Sequence, residues 1–178
     1  MKKRPAANKK KVAVRKAAAP RKKMVKPIPE GYHTVTPYLS LQGAAEALEF
    51  YKKAFGAREL MRLDAPGGKI AHAEMKIGDS IIMMADEFPD MDFLSPLTRG
   101  GSTVNLHLYV HKVDEMVDGA VKAGATLLRA VKDQFYGDRT GSVRDPFGHV
   151  WHLATHTEDL SKAELRKRAD AAMKEMAG

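Results

Sequence analysis

Ala44-Ala45-Glu46-Ala47-Leu48-Glu49-Phe50-Tyr51-Lys52-Lys53-Ala54-Phe55-Gly56-Ala57 sets Ala44, Leu48, Tyr51 and Phe55 at spacings of 4, 3 and 4. Those spacings lay one apolar stripe along a helix, and Gly56 ends it. Further on, Val113-Asp114-Glu115-Met116-Val117 followed by Ala123-Gly124-Ala125 reads the same way. The helix starts (44 and 113) lie 69 residues apart, the closing glycines (56 and 124) 68, and the turn glycines Gly78 and Gly148 70. A shared offset means two copies of one supersecondary unit, each a strand, a helix and three strands. Neither copy can bury its apolar face alone, so the two pair around one core and leave a cavity between them.

The predicted elements follow from there. In the first copy, strands are expected at Thr34–Leu41, Arg58–Asp64, Lys69–Ile77 and Ser80–Ala85, with turns at Pro66-Gly67-Gly68 and Gly78-Asp79. Residues 86–101 read as a polar connecting loop. In the second copy, strands are expected at Thr103–Val110, Thr126–Val131, Arg139–Arg144 and His149–Thr155, and Asp114 is the expected N-cap of the helix. Asp145-Pro146-Phe147-Gly148 fits a type I turn. Ser161-Lys162-Ala163-Glu164 is a capping box, with Leu160 and Leu165 as its staple. The final helix then lines up Leu165, Ala169, Met173 and Met176, a stripe that packs on the body or on a second subunit unless the helix frays.

The chain has 178 residues and a formal charge of +8, but the charge is not evenly spread. Residues 1–26 hold twelve Lys or Arg and no acid, which leaves 18 basic against 22 acidic residues elsewhere, a net of −4. This tail has too few large apolar residues to offset chain entropy and is expected to be disordered. It either attracts nucleic acid or another polyanion weakly, or serves as a solubilising extension; no aromatic interleaves its charges, which favours the second. Pro27-Ile28-Pro29 is a hinge into the body at 27–158, with modules at about 32–86 and 102–157, and the C-terminal helix occupies 159–178. The absence of cysteine rules out disulfides and thiolate metal sites and points to the cytoplasm. No apolar run approaches a membrane span, which needs about 20 residues.

His33-Thr34-Val35-Thr36-Pro37-Tyr38-Leu39, Glu49-Phe50-Tyr51-Lys52-Lys53-Ala54-Phe55-Gly56-Ala57, His72-Ala73-Glu74, Ile77-Gly78-Asp79-Ser80 and Asp145-Pro146-Phe147-Gly148-His149-Val150-Trp151 resemble the vicinal oxygen chelate superfamily. That group contains glyoxalase I, extradiol dioxygenases and bleomycin-resistance proteins, and the nearer resemblance is to its PhnB-like branch. The resemblance implies an α+β fold in which two βαβββ modules curl into a cup around a ligand, commonly in a homodimer. In metal-dependent relatives, the first and last strands of each module supply one ligand each.

Carried over by the repeat, those positions are Thr36, Ile82, Asn105 and His152. A hard divalent ion needs several imidazoles or carboxylates, so this set predicts no metal. A second set, His72, Glu74, His107 and His152, could hold a divalent ion if the two strand faces converge. In that case Glu74 is the candidate to move a proton. Without a metal, His72, Glu74, Asn105, His107 and His152 form a polar wall that orients a small molecule. Phe135 and Tyr136 stack a planar part of it, and Arg139 either pairs with an anion or is tied to Asp138 or Asp145. Ile81 and Met83 are expected to face the helices, and Ile82 and Met84 the cup. The remaining histidines, His33, His111, His149 and His156, read as solvated or structural. The predicted function is a small-molecule-binding protein, with a metal-dependent lyase, isomerase or dioxygenase as the alternative.

Overall fold

A computed structural model describes residues 25–177, with side chains to 175. The expectation for residues 1–24 lies outside the described residues. The first module runs β1 (Tyr38–Leu41), α1 (Ala44–Phe55), β2 (Arg58–Asp64), β3 (Ile70–Ile77) and β4 (Ser80–Asp86). A short helix α2 (Pro96–Arg99) lies in the connection. The second module runs β5 (Asn105–Tyr109), α3 (Val113–Lys122), β6 (Thr126–Asp133), β7 (Asp138–Arg144) and β8 (Val150–His156), and α4 (Lys162–Ala177) ends the chain. Each module is a four-stranded mixed sheet, ordered β1-β4-β3-β2 and β5-β8-β7-β6, in which only the first pair of strands is parallel. The fold is therefore α+β, with two βαβββ modules and a C-terminal helix.

The helices cover one side of the sheets and touch each other, so the two modules share one core. Ala44, Leu48, Tyr51 and Phe55, the predicted stripe, are all buried there. Tyr51 and Phe55 cross to the second module, with ring centroids 5.4 and 4.6 Å from Trp151. Beneath them Asp145 is buried and fully used. Its Oδ2 accepts from the Tyr51 hydroxyl at 2.7 Å and Trp151 Nε1 at 2.9 Å. Its Oδ1 accepts from the backbone N–H of Phe147 and of His149. A buried carboxylate is tolerated when its lone pairs are met in this way, and this one fastens α1 to the turn before β8.

Two expectations about helix ends are corrected. Asp114 does not cap α3. The N–H of Val113 instead donates to Thr155 Oγ1 on β8, 3.0 Å away, while Asp114 turns to Arg139. The first module uses the same device, for the N–H groups of Gly43 and Ala44 donate to Asp86 Oδ1 on β4. Asp86 and Thr155 are 69 residues apart, matching the helix starts. Half of the capping box on α4 forms. Ser161 Oγ accepts from the N–H of Glu164 at 3.2 Å, but the Glu164 carboxylate goes to Arg168. Of the α4 stripe, Leu165 and Ala169 are partly covered, whereas Met173 is 67 % exposed. A bidentate pair from Arg168 to Glu158 ties the helix down.

The connection between modules is also more ordered than a polar loop. Ser95 caps α2 by accepting from the N–H of Thr98, and Glu87 accepts from the Ser95 N–H, the Thr98 hydroxyl and Gln42 Nε2. These bonds hold the segment against the end of β1.

Candidate functional site

Strand pairing fixes which side chains face away from the helices. On the first sheet Tyr38 lies opposite Met83, and Glu74 is opposite both Met83 and Met61. Leu39, Ile82 and Met84 belong instead to the buried core under α1. On the second sheet His107 lies opposite His152 and Ser142 is opposite His152, while Trp151 and Leu153 point into the core. The expectation that Ile82 and Met84 face the cup, with Ile81 and Met83 toward the helices, is thus reversed. The error arises in the turns. Gly78-Asp79 and Asp145–Gly148 differ in length, so counting from their glycines slips the register by one, and one residue turns a strand over.

With the offset of 69 that aligns Asp86 with Thr155, the equivalent of His152 is Met83. The four positions become Thr36, Met83, Asn105 and His152: a hydroxyl, a thioether, an amide and one imidazole. That donor set does not fit a hard divalent ion. The second candidate set is split between the modules. His72 Nε2 lies 3.2 Å from Glu74 Oε1 on the first sheet, and the His107 and His152 rings stack with centroids 6.4 Å apart on the second. Among the described residues no three His, Asp or Glu side chains form a group that could hold a metal ion.

The first sheet instead carries a hydrogen-bonded relay. Tyr38 Oη lies 3.0 Å from His72 Nδ1. The Glu74 carboxylate can only accept, so in the neutral ring Nε2 carries the proton and the Tyr38 hydroxyl donates to Nδ1. The neighbouring Glu74 carboxylate, together with burial, pushes the Tyr32 pKa up to about 12. Burial also raises the Tyr38 pKa. Both phenols are therefore protonated at neutral pH, and the relay runs Tyr38–His72–Glu74.

The Tyr38 ring forms the wall of a cleft of about 420 Å³ between β1, the start of β5 and the connecting segment. Phe93 stands 5.1 Å from it, centroid to centroid. His149 also lines the cleft. It is not a solvated turn residue: it is 8 % exposed, and its Nε2–H donates to the Ser40 carbonyl at 3.2 Å. Burial lowers its pKa, against a smaller opposite pull from Asp145, so the ring is neutral at pH 7.

On the second sheet Asn105 and His107 are exposed and His152 is half-buried, with its pKa lowered by burial and by His107. Phe135 and Tyr136 are exposed and pack edge to face on each other at 5.3 Å. Arg139 is committed within the protein, but not to Asp138 or Asp145 as expected. It makes a fork with Asp114 and a further bond to Asp133, leaving no guanidinium edge free for an anion. Tyr32, Tyr38, Ser40, Phe93, Arg99 and His149 were not among the predicted site residues. The alternation on β1 could have flagged Tyr38, whereas Phe93 and Arg99 sit in the segment read as plain loop.

Residues 33–153 match the Glyoxalase family, described as the Glyoxalase/Bleomycin resistance protein/Dioxygenase superfamily. The chain belongs to this superfamily. It is 40% identical over 135 residues to the uncharacterised protein Rv0887c of Mycobacterium tuberculosis, covering 74% of this chain and 79% of that one. Among solved structures it is similar to TioX from Micromonospora sp. ML1, with TM-score 0.56 and 25% identity over 72% of this chain and 100% of TioX. A PhnB protein from Bacillus cereus shares the fold, with TM-score 0.52 and 17% identity over 69% of this chain and 99% of that one. The superfamily match begins at His33 and ends at Leu153, so it takes in the relay from Tyr38 onward and stops short of α4. Among the described residues, no helix of this superfamily member is long and apolar enough to cross a membrane.

Proposed function

We propose that this member of the glyoxalase/bleomycin-resistance superfamily binds a small molecule, apolar or aromatic with a polar handle, without a metal ion. The observation that carries this reading is Tyr38, whose ring walls the cleft and whose hydroxyl enters the His72–Glu74 relay. A ligand in the cleft meets aromatic and aliphatic surface and one end of a polar chain, the usual composition of a small-molecule site. His107, His152 and Asn105 on the second sheet lie outside the lining of this cleft. The protein is proposed to act as a cytoplasmic homodimer. β2 and β6 leave Leu60, Met61, Leu63, Leu127 and Leu128 exposed, more apolar edge surface than an isolated sheet keeps.

The test is a thermal-shift and calorimetric screen of neutral and charged aromatic metabolites and antibiotics, with metal content measured on protein purified without chelator. The reading expects a compound that binds to metal-free protein, is not turned over, and loses affinity in Tyr38→Phe and His72→Ala. Stoichiometric metal whose removal by EDTA abolishes binding or an activity would replace it with the metal-enzyme reading.

A further inference from the structure

Ser40 on β1 is 8 % exposed, and its Oγ is a buried polar atom without a hydrogen-bond partner among the described residues. An unmet buried hydroxyl is destabilising, and alanine in its place would avoid that cost. Ser40 lines the same cleft as Tyr38, Phe93, Val104, Arg99 and His149. Arg99 is the cleft's cation. Its Nη2 donates to Asp92 Oδ1 at 2.8 Å and to the Asp92 carbonyl at 3.1 Å, while Nε and Nη1 have no partner among the described residues. The pair is open to water, with side chains 49 % and 84 % exposed, so an incoming anion competes for Arg99 at little cost. His149 brings no second charge, since burial disfavours its protonated form, and its Nε2–H is held by the Ser40 carbonyl.

We infer that the cleft is a site for a small aromatic carboxylate. Its ring packs against the face that the paired Tyr38 and Phe93 rings present to the cleft, its carboxylate takes the free donors of Arg99, and Ser40 Oγ gains the partner it lacks. A single arginine beside the Asp92 carboxylate suits one negative charge and disfavours a dianion such as a phosphate monoester. A volume of about 420 Å³ admits a one- or two-ring molecule. This assignment rests on the reading of the chain as a small-molecule binder and adds the class of ligand and the residues that select it.

The experiment titrates the full chain with 2-naphthoate by calorimetry, with 2-naphthamide and 2-naphthyl phosphate as comparison ligands. Naphthoate should bind at least about tenfold more tightly than either, since a charge-assisted bond that forms with one ligand only is worth that much. Arg99→Gln should remove the preference for naphthoate over the amide without changing the melting temperature. Ser40→Ala should weaken naphthoate binding while leaving the melting temperature equal or higher, a combination that a merely structural serine would not show. Equal affinity for naphthoate and naphthamide, a preference that survives Arg99→Gln, or no naphthoate binding at millimolar concentration each overturns the assignment. If neutral compounds from the wider screen bind and depend on Tyr38 and His72 while naphthoate does not, the binder reading stands and this one falls.

Discussion

Tyr51 and Asp145 lie 94 positions apart in the chain and meet in a buried 2.7 Å hydrogen bond that joins α1 of the first module to the second. The carboxylate has four donors, and Tyr51 is the one contributed by the other module. Tyr51→Phe removes that donor and keeps the ring, so the loss isolates the bond. A hydrogen bond to a charged group contributes about 1.5–3 kcal/mol. The urea midpoint should fall by that amount of stability, with the slope of the transition unchanged. An unchanged midpoint would show that Trp151 Nε1 and the two backbone N–H groups suffice.

The register of β4 gives a second prediction. Ile82 is 6 % exposed within the core, whereas Met83 faces away from the helices and is half-buried. Ile82→Ala should cost about 2–5 kcal/mol, the range for large-to-small changes in a packed core. Met83→Ala should cost about 1 kcal/mol or less, because it empties no enclosed space. Chemical denaturation of the two variants decides it, and the reverse order would restore the register carried over from the turn glycines.

That register also shows what the sequence could and could not disclose. The α1 stripe was legible because helical periodicity and a closing glycine are local signals, and so were β2 and the Asp145-Pro146-Phe147-Gly148 turn. Contacts made across the fold were not. The cap of α3 comes from Thr155, 42 residues from Val113, while Asp114, the local candidate, is drawn to Arg139. The four-residue helix α2 depends on Glu87 for its anchorage and has too few turns for a periodic pattern. His72 and Glu74 were found by alternation on β3. Their link to Tyr38 spans 34 residues and needed the sheet to be seen.

Glu87 should give the connecting segment a pH limit. The Ser95 N–H and the Thr98 hydroxyl donate to its carboxylate and lower its pKa from 4.5 to about 2. A folded-state pKa below the unfolded one stabilises above the unfolded value, and that contribution is lost as the carboxylate takes up protons. The segment 87–101 should therefore loosen as pH falls from about 4.5 toward about 2. Glu87→Gln should loosen it at neutral pH and flatten the acid response. Limited proteolysis with an acid-active protease reads both effects, and a segment equally resistant at both pH values would refute the role.

His156 has the opposite sign. Its bonds to Asp138, at 2.7 Å, and Asp159, at 3.0 Å, raise its pKa above 6.5, Asp138 contributing most. This contribution is complete below the ordinary histidine value and disappears as pH rises through the elevated one. Asp138→Asn should shift the His156 titration, followed by NMR of the ring protons, back toward lower pH. A titration curve that does not move would mean that Asp159 alone sets it.

Gly137 and Gly78 separate backbone strain from steric exclusion. Both have positive φ, +93° and +57°, so alanine is strained at either position. At Gly78 an added Cβ meets nothing within 4 Å, and the cost is the left-handed conformation alone, about 1–2 kcal/mol. At Gly137 the Cβ would collide with the Glu158 carbonyl, and the Gly137 carbonyl accepts from the N–H groups of Thr157 and Glu158. Relieving the collision means moving the chain that leads into α4, so those bonds are lost together with the strain. Gly137→Ala should therefore destabilise clearly more than Gly78→Ala and also raise amide exchange at Thr157 and Glu158. Equal costs for the two variants, with exchange unchanged, would show that this close approach is not required.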